Sequence, residues 1–244
     1  MKKHDPRLAL RTVDFMSLIE LKNVSKIYRH GSQEIAALSD LSLTFDEGEF
    51  AVLAGPSGSG KTTALNLIGC LDHPTTGQVI VSGLDLGTAN TRQLADFRLQ
   101  HIGFIFQSYN LIPVLTAAEN AEFTLMLQKV PKNRRRERVY GLFADLGIEG
   151  LEDRRPADLS GGQQQRVAIA RAIAADPHVI LADEPTANLD SHTAEELLEL
   201  MRRLNQDKGT TFIFSSHDDR VISQARRVIR LEDGQLADDT SLTA

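Results

Sequence analysis

A glycine-rich segment, Gly55–Thr62, limits the possible folds of this chain more than any other part of its sequence. It reads GPSGSGKT and matches the pattern G-x-x-x-x-G-K-[ST]. An apolar run before it, Glu49–Ala54, predicts a buried strand, and a helix is predicted from Lys61 to about Ile68. In this setting the glycines let backbone N–H groups turn towards an anion, and the helix adds the positive end of its dipole. The segment predicts a phosphate-binding loop, although a glycine-rich turn can also be purely structural.

Polar side chains in and beyond the loop suit phosphate chemistry. Lys61 offers a positive charge for β- and γ-phosphates, and the Thr62 hydroxyl is placed to ligate Mg²⁺. A second apolar run, Val179–Ala182, predicts a strand that leads directly into Asp183 and Glu184. Asp183 would hold Mg²⁺, and Glu184 would polarise a water for attack on the γ-phosphate. Paired acids after a strand can also simply start a helix, so this interpretation depends on the glycine-rich loop.

The pattern of apolar residues predicts the fold class. Thr211–Phe214 reads as another buried strand, Leu18–Lys22 alternates like an edge strand, and Leu41–Phe45 fits a further strand. Strands separated by helical stretches predict an α/β fold with a mainly parallel sheet covered on both faces. From about residue 116 to 175 the period is helical, which predicts an inserted helical subdomain. The core positions expected there are Leu125, Leu127, Leu142, Phe143 and Leu146.

Length and composition exclude several classes of protein. The 244 residues suit one globular unit or two closely joined subdomains. A net charge of −6 argues against a nucleic-acid binder, and one cysteine excludes a disulfide framework. No apolar run approaches the ~18 residues that cross a bilayer, and none forms a signal peptide. We expect an intracellular protein with a flexible leader at residues 1–17, in which Met16 offers a second start, and a tail at residues 237–244.

Further motifs identify a family. Leu159–Arg166, LSGGQQQR, resembles the signature sequence of the ATP-binding cassette (ABC) ATPases. The resemblance covers residues 18–236 and implies a P-loop NTPase (RecA-like) core, an N-terminal antiparallel β-subdomain and a helical subdomain inserted at about residues 108–175. The elements stand in family order: Tyr28, the glycine-rich loop, Gln107, the signature, Asp183 with Glu184, Asp190 and His217.

The resemblance also implies a role for single residues. Tyr28 is similar to the aromatic residue that stacks on adenine, Gln107 to a ligand of Mg²⁺ or of the attacking water, and His217 to a hydrogen-bond partner of the γ-phosphate. Taken singly, each could instead be a strand-end tyrosine, a plain strand terminus or a structural histidine. Glu184, His217 and Gln107 are then catalytic, and Thr62, Gln107 and Asp183 bind Mg²⁺.

ATP binding is implied to involve two chains, which sandwich two ATP molecules head to tail in a dimer. The signature and Asp190 of one chain would then face ATP on the other. Gln164 stands where many relatives carry an acid, and Thr62 replaces the commoner serine. The residues expected to contact ATP are Tyr28, Gly55, Pro56, Ser57, Gly58, Ser59, Gly60, Lys61, Thr62, Thr63, Ser160, Gly161, Gly162, Gln163 and Asp190.

Two segments are similar to the lipoprotein-release and macrolide-export branch of the family, Asn66–Asp72 and Leu181–Asp190. This implies an ATPase that powers a separately encoded transmembrane permease from the cytoplasmic face of the bacterial inner membrane. Ser108–Pro113 is the expected contact with that permease. An importer ATPase, or a regulatory cell-division-type scaffold that transports nothing, shares the same motifs. The basic run Lys129–Arg138 is interpreted as an exposed helix face rather than a site for nucleic acid or lipid.

Overall fold

The computed structural model describes residues 17–31 and 33–242, so all of the predicted leader except Ser17 lies outside the described residues. The strands in that part of the chain are β1 (Ile19–His30), β2 (Gln33–Phe45), β3 (Phe50–Ala54), β4 (Thr76–Val81), β5 (Leu84–Asp85), β6 (Ile102–Ile105), β7 (Val179–Asp183), β8 (Thr211–Ser216), β9 (Arg227–Glu232) and β10 (Gln235–Ser241). The helices are α1 (Lys61–Ile68), α2 (Thr91–His101), α3 (Ala117–Leu127), α4 (Lys132–Asp145), α5 (Gly161–Ile173), α6 (Ser191–Lys208) and α7 (Asp219–Ile222), with a 3₁₀ turn at Pro156–Asp158.

Two sheets organise the described residues. An antiparallel sheet has the strand order β2-β1-β4-β5, and a second sheet has the order β10-β9-β3-β8-β7-β6. In the second sheet β9, β3, β8, β7 and β6 are parallel, while β10 runs antiparallel to β9. The predicted mainly parallel sheet with an N-terminal antiparallel part is therefore confirmed. Much of the segment assigned to a tail, residues 237–241, belongs to β10.

The prediction of an edge strand at Leu18–Lys22 is wrong. These residues begin β1, which lies between β2 and β4 and pairs with both. The alternation of apolar and polar residues correctly predicts that Ile19 and Leu21 are buried. It carries no information on how many neighbours a strand has, because one buried face gives the same pattern at the edge and in the middle of an antiparallel sheet.

The parallel sheet is buried on both faces, and β3 shows why its sequence is apolar throughout. Phe50, Val52 and Ala54 contribute to the core that lies under α3, α5 and α6. Ala51 and Leu53 contribute to the core shared with α1 and the antiparallel sheet. Successive side chains of a strand point to opposite faces, so a strand covered on both sides has no polar position. The loop that follows β3 is thereby held against a rigid layer.

The segment between β6 and β7 is helical, as the period predicts, and contains α3, α4 and α5. Four of the five expected core positions are buried: Leu125, Leu142, Phe143 and Leu146. The fifth, Leu127, is 50% exposed and was predicted wrongly. Positions two apart on a helix point in nearly opposite directions, so Leu125 and Leu127 cannot both face the core.

The basic run is only partly an exposed helix face. Lys132, Arg134 and Arg136 are exposed on α4. Arg135 is directed towards α3 instead, where its guanidinium bonds the Glu122 carboxylate at 3.1 Å and the Val130 carbonyl. Its side chain is 17% exposed. One member of the run therefore joins two helices.

Two histidines meet where α2 ends and β7 begins. The ring centroids of His101 and His178 are 4.7 Å apart, and the His178 N–H donates to the His101 carbonyl. Within the described residues, Nδ1 of His101 is buried without a hydrogen-bond partner. Burial, and to a lesser extent the neighbouring charge of His178, lower the pKa of His101. His101 therefore binds a proton more readily in the unfolded chain than in the folded protein. The stability that its neutral ring contributes is lost as the pH falls below about 6.5, the ordinary pKa of histidine, towards the lower pKa of the folded state.

We expect His101→Phe to reduce the fall in Tm between about pH 7 and pH 5, because the ring contacts remain and the titration is removed. Thermal unfolding of both proteins across that range measures the effect. His192→Ala is the matched control, since its side chain is 84% exposed, and it should leave the profile unchanged. A fall in the Tm of His101→Phe as steep as that of the wild type would show that His101 is not responsible for the pH dependence.

Candidate active site

A cleft of about 790 Å³, called here the P-loop cleft, lies at the carboxyl ends of the parallel strands. Open α/β sheets commonly bind ligands at this edge. Its lining residues are Tyr28, Ile35, Ala36, Ala37, Pro56, Ser57, Gly58, Gly60, Lys61, Thr62, Thr63, Gln107, Asp183, Glu184 and His217. A larger open groove of about 950 Å³ lies at the amino ends of β7 and β8, and none of the predicted site residues lines it.

The glycine-rich loop, or P-loop, connects β3 to α1, as predicted. Gly55 has φ 148° and Gly60 φ 99°, and a Cβ on Gly60 would stand 2.6 Å from the Ala37 carbonyl oxygen. The loop therefore requires glycine at this position. The Lys61 ammonium donates to the Gly55 carbonyl at 2.7 Å and the Pro56 carbonyl at 2.8 Å, which holds it over the loop. Gly55 and Ser59 do not line the cleft, and the Ser59 side chain is buried behind the loop.

Asp183 is the last residue of β7 and lies next to Thr62. The Thr62 hydroxyl is 3.1 Å from both Asp183 carboxylate oxygens. The Ser215 hydroxyl, on β8, donates to Asp183 Oδ1 at 2.7 Å and accepts the Glu184 N–H at 2.9 Å. Asp183 and Ser215 are register partners in the parallel pair β7–β8. One hydroxyl therefore orients the carboxylate and the backbone of the residue that follows it.

Glu184 and His217 come from neighbouring strand ends and touch each other. Glu184 Oε1 lies 2.8 Å from His217 Nδ1, so one of the two carries the shared hydrogen. The Glu184 backbone is left-handed, with φ 46°, a conformation that is costly for this residue type. The side chain is 17% exposed, so it opens to the cleft only partly. Gln107, two residues beyond β6, lines the same cleft, and its carbonyl accepts from Asn188.

Tyr28 forms one wall of the cleft. It lies on β1 opposite Ile35 on β2, and both side chains are exposed at the cleft. The Tyr28 hydroxyl donates to Asp72 Oδ2 at 2.9 Å. Burial and the bond to Asp72 raise the pKa of Tyr28, and contact with the Thr63 hydroxyl lowers it by less. The ring and the aliphatic side chain form an apolar wall at one side of the P-loop.

The signature residues do not line this cleft. Ser160 is the N-cap of α5, where its hydroxyl accepts the Gln163 N–H and the Gln163 side chain accepts the Ser160 N–H. Gly161 and Gly162 lie in the first turn of α5. The Gln164 side chain donates back to the Leu159 carbonyl. These residues form a partly exposed helix N-terminus outside the cleft that Lys61 and Glu184 line.

Asp190 caps another helix and is also outside the cleft. Its carboxylate accepts from the backbone of His192 and Thr193 and from the Thr193 hydroxyl, at the start of α6. The hydrogen bonds, led by that of the Thr193 hydroxyl, lower the pKa of Asp190. In one chain, Asp190 therefore stabilises its own helix, and among the described residues its carboxylate accepts hydrogen bonds only from His192 and Thr193.

Sequence reasoning missed two residues that organise the cleft. Ser215 follows the predicted strand Thr211–Phe214 without an expected role, and Asp72 enters only as the last residue of Asn66–Asp72, the segment similar to the lipoprotein-release and macrolide-export branch. The pairing of Ser215 with Asp183 depends on the register of two distant strands, which the sequence alone does not give. The bond between Asp72 and Tyr28 joins distant parts of the chain, and no local pattern indicates it.

The site is that of an ABC ATPase, and the chain belongs to the ABC transporter family, whose model matches residues 38–187. An uncharacterised ABC transporter ATP-binding protein of Thermotoga maritima is 46% identical over 219 residues, which are 90% of this chain and 93% of that protein. The macrolide export ATP-binding/permease protein MacB of Salmonella typhimurium is 45% identical over 220 residues. The match covers 90% of this chain and 34% of MacB, so the chain spans about a third of that relative.

A solved structure supports the fold. It is the dimeric structure of a post-hydrolysis state of the ATP-binding cassette MJ0796, from Methanocaldococcus jannaschii, bound to ADP and Pi. The TM-score is 0.86 at 43% identity, and the match covers 93% of this chain and 99% of that one. Separately, across residues 17–31 and 33–242, no helix of this protein combines the length and apolarity needed to span a bilayer.

Proposed function

We propose that this chain is the ATP-hydrolysing subunit of a membrane ABC transporter, with the P-loop cleft as its nucleotide site. The observation that carries the proposal is the convergence of Lys61, Asp183, Glu184 and His217 on one cleft from separate strand ends. Lys61 and the loop N–H groups supply positive charge for the phosphates, including charge that develops in the transition state. Glu184 acts as general base towards the attacking water, and His217 holds its carboxylate.

The oxygen donors beside the P-loop suit Mg²⁺. The Thr62 hydroxyl and the Asp183 carboxylate lie 3.1 Å apart, and Gln107 adds an amide oxygen at the same cleft. Hard oxygen ligands with few carboxylates are what Mg²⁺ uses at phosphate sites. These three residues would hold the ion, which neutralises phosphate charge when bound. Ser215 keeps the Asp183 carboxylate in place for that role.

The signature implies a second ATPase subunit. Ser160, Gly161, Gly162 and Gln163 form a helix N-terminus, which favours an anion, yet they are apart from the cleft of their own chain. A head-to-tail homodimer would place them at the γ-phosphate bound by the partner, with Asp190 nearby at the interface. MJ0796, which has this fold, has been solved as a dimer. ATP would then close the dimer, and hydrolysis would release it.

The mechanical partner in this proposal is a transmembrane permease at the cytoplasmic face of the bacterial inner membrane. The similarity to MacB, which joins an ATPase and a permease, favours an exporter or a complex that transmits force. Ser108–Pro113 is the proposed contact, and Val114 beyond it is 74% exposed. Arg171 on α5 donates to the carbonyls of Tyr109 and Asn110, both of which have left-handed backbones. The contact segment is therefore fastened to the helix that carries the signature.

Lys61→Ala should weaken Mg·ATP binding by about 30-fold or more, because a charge held at the phosphates is lost. Titration with a fluorescent ATP analogue measures the affinity. Lys22→Ala is the matched control: this lysine is 55% exposed, pairs with Glu20 and does not line the cleft. Near-normal hydrolysis by Lys61→Ala would overturn the assignment of the site.

A further inference from the structure

A charged network stands behind the Tyr28 ring. The Tyr28 hydroxyl donates to Asp72 Oδ2 at 2.9 Å, while the Lys26 ammonium donates to Asp72 Oδ1 at 2.6 Å. Lys26 and Tyr28 are two apart on β1 and share a face of the strand. The Lys26 ammonium also lies 4.9 Å from the centroid of the Tyr28 ring. One face of the ring is thus occupied by a cation, which leaves the other face for a base.

Asp72 is itself held firmly. It follows α1 by four residues, and the His73 N–H donates to its Oδ1 at 2.7 Å. Lys26 donates in addition to the His73 carbonyl at 2.8 Å. Burial alone would raise the pKa of Asp72, but the hydrogen bonds from Lys26, His73 and Tyr28 outweigh it and the pKa is lowered. The carboxylate therefore stays charged and keeps its partners.

The same loop is bonded to β1 beyond Asp72. The Ile27 N–H donates to the Thr75 hydroxyl at 2.9 Å, and the Thr75 N–H donates to the Ser25 carbonyl at 2.8 Å. These bonds lie on either side of Lys26, so the loop and the strand form one unit. That loop leaves the end of α1, and α1 begins at Lys61. A continuous path joins the phosphate-binding lysine to the aromatic wall of the cleft.

We propose that Asp72 is a positioning residue for the nucleoside: it fixes the Tyr28 ring relative to α1, so that base and triphosphate are bound at a set separation. The inference rests on the proposed nucleotide site in the P-loop cleft and on the role that the family resemblance implies for Tyr28 there, stacking on the base of ATP. A free tyrosine would have to be immobilised when the nucleotide binds, at a cost in affinity. The bond to Asp72 immobilises it beforehand. Asp72 touches no nucleotide in this account and acts through the tyrosine hydroxyl.

Calorimetric titration with a non-hydrolysable ATP analogue, and separately with inorganic tripolyphosphate, tests the proposal. Tyr28→Phe and Asp72→Ala should each weaken binding of the analogue by about 3- to 10-fold, which is the cost of immobilising one side chain. The double variant should bind the analogue no more weakly than the weaker-binding single variant, because both changes break the same bond between the Tyr28 hydroxyl and Asp72. Tripolyphosphate, which lacks a base, should bind all of them as it binds the wild type. Glu34→Ala is the control, since it breaks an exposed ion pair with Arg29 on the same hairpin.

Two results would overturn the positioning role. One is a loss of affinity for the analogue in the double variant that equals the product of the two single losses. The other is a loss of affinity for tripolyphosphate in Asp72→Ala that matches its loss for the analogue. Tyr28→Phe keeps the test valid if Asp72→Ala folds poorly. Tyr28→Ala separates this proposal from the proposed function. Wild-type affinity in Tyr28→Ala would remove Tyr28 from the base site altogether. A loss in Tyr28→Ala with none in Tyr28→Phe or Asp72→Ala would reject the positioning role alone.

Discussion

Replacing Glu184 with glutamine should lower kcat for ATP hydrolysis by at least about 100-fold, because a general base typically contributes 10²- to 10⁴-fold. ATP binding should be retained, since glutamine keeps the size of the side chain and an oxygen that can bond His217. Phosphate release under steady state measures the first effect. Glu199→Gln is the matched control: this glutamate is about half exposed on α6 and pairs only with Arg202 among the described residues.

The same variant should accumulate as a dimer in the presence of ATP, because the step that opens the dimer is blocked. Light scattering with and without ATP measures this directly. Phosphate release close to the wild-type rate would remove Glu184 from the chemistry, and a monomer at saturating ATP would contradict the sandwich dimer. The trapped dimer is also the best bait for a permease from solubilised membranes of the host.

Ser160→Arg should reduce hydrolysis to below about one hundredth of wild type while a single chain still binds ATP. In the proposed dimer, the arginine would fill the space at the start of α5 where the γ-phosphate of the partner's ATP is expected. Removing oriented donors from a reacting phosphate costs about 10²- to 10³-fold. Affinity for a fluorescent ATP analogue and phosphate release report the two effects separately.

The control for Ser160→Arg is another capping box of the same kind. Thr116 caps α3, bonding the Glu119 N–H just as Ser160 bonds the Gln163 N–H. Thr116→Arg therefore loses a cap and gains the same bulk, at a typical cost of about 1 kcal/mol in stability, but should keep its hydrolytic rate. Equal loss of activity in both variants would indicate damage to the helical region rather than to a dimer contact.

The sequence predicted those parts of the fold and the site that depend on local order. The P-loop is one continuous segment whose glycines, lysine and threonine act together, and α1 runs from Lys61 to Ile68 as expected. The paired acids after β7 follow the same logic. Each of these motifs requires only a strand end and the few residues beyond it.

Features that depend on pairing across the chain could not be predicted in this way. The pairing of β1 with β4, the bond from Ser215 to Asp183 and that from Tyr28 to Asp72 all join residues at least 32 apart in the sequence. The wrong assignment of Leu127 has a different cause, because helical period alone already separates it from Leu125. The signature presents a third case: its motif is local, yet one chain alone does not bring it to the P-loop cleft.

The bonds from Arg171 to Tyr109 and Asn110 couple the proposed contact segment, Ser108–Pro113, to α5, so that the two would move together. Arg171 lies eleven residues along α5 from Ser160, a distance of about 16 Å at 1.5 Å per residue. Pressure on residues 108–113 would turn this stiff rod rather than deform the loop. A small rotation at one end would then displace Ser160 across the face where a second chain would dock in the proposed dimer. The Arg171 guanidinium is thus the connection through which a movement of residues 108–113 would reach α5.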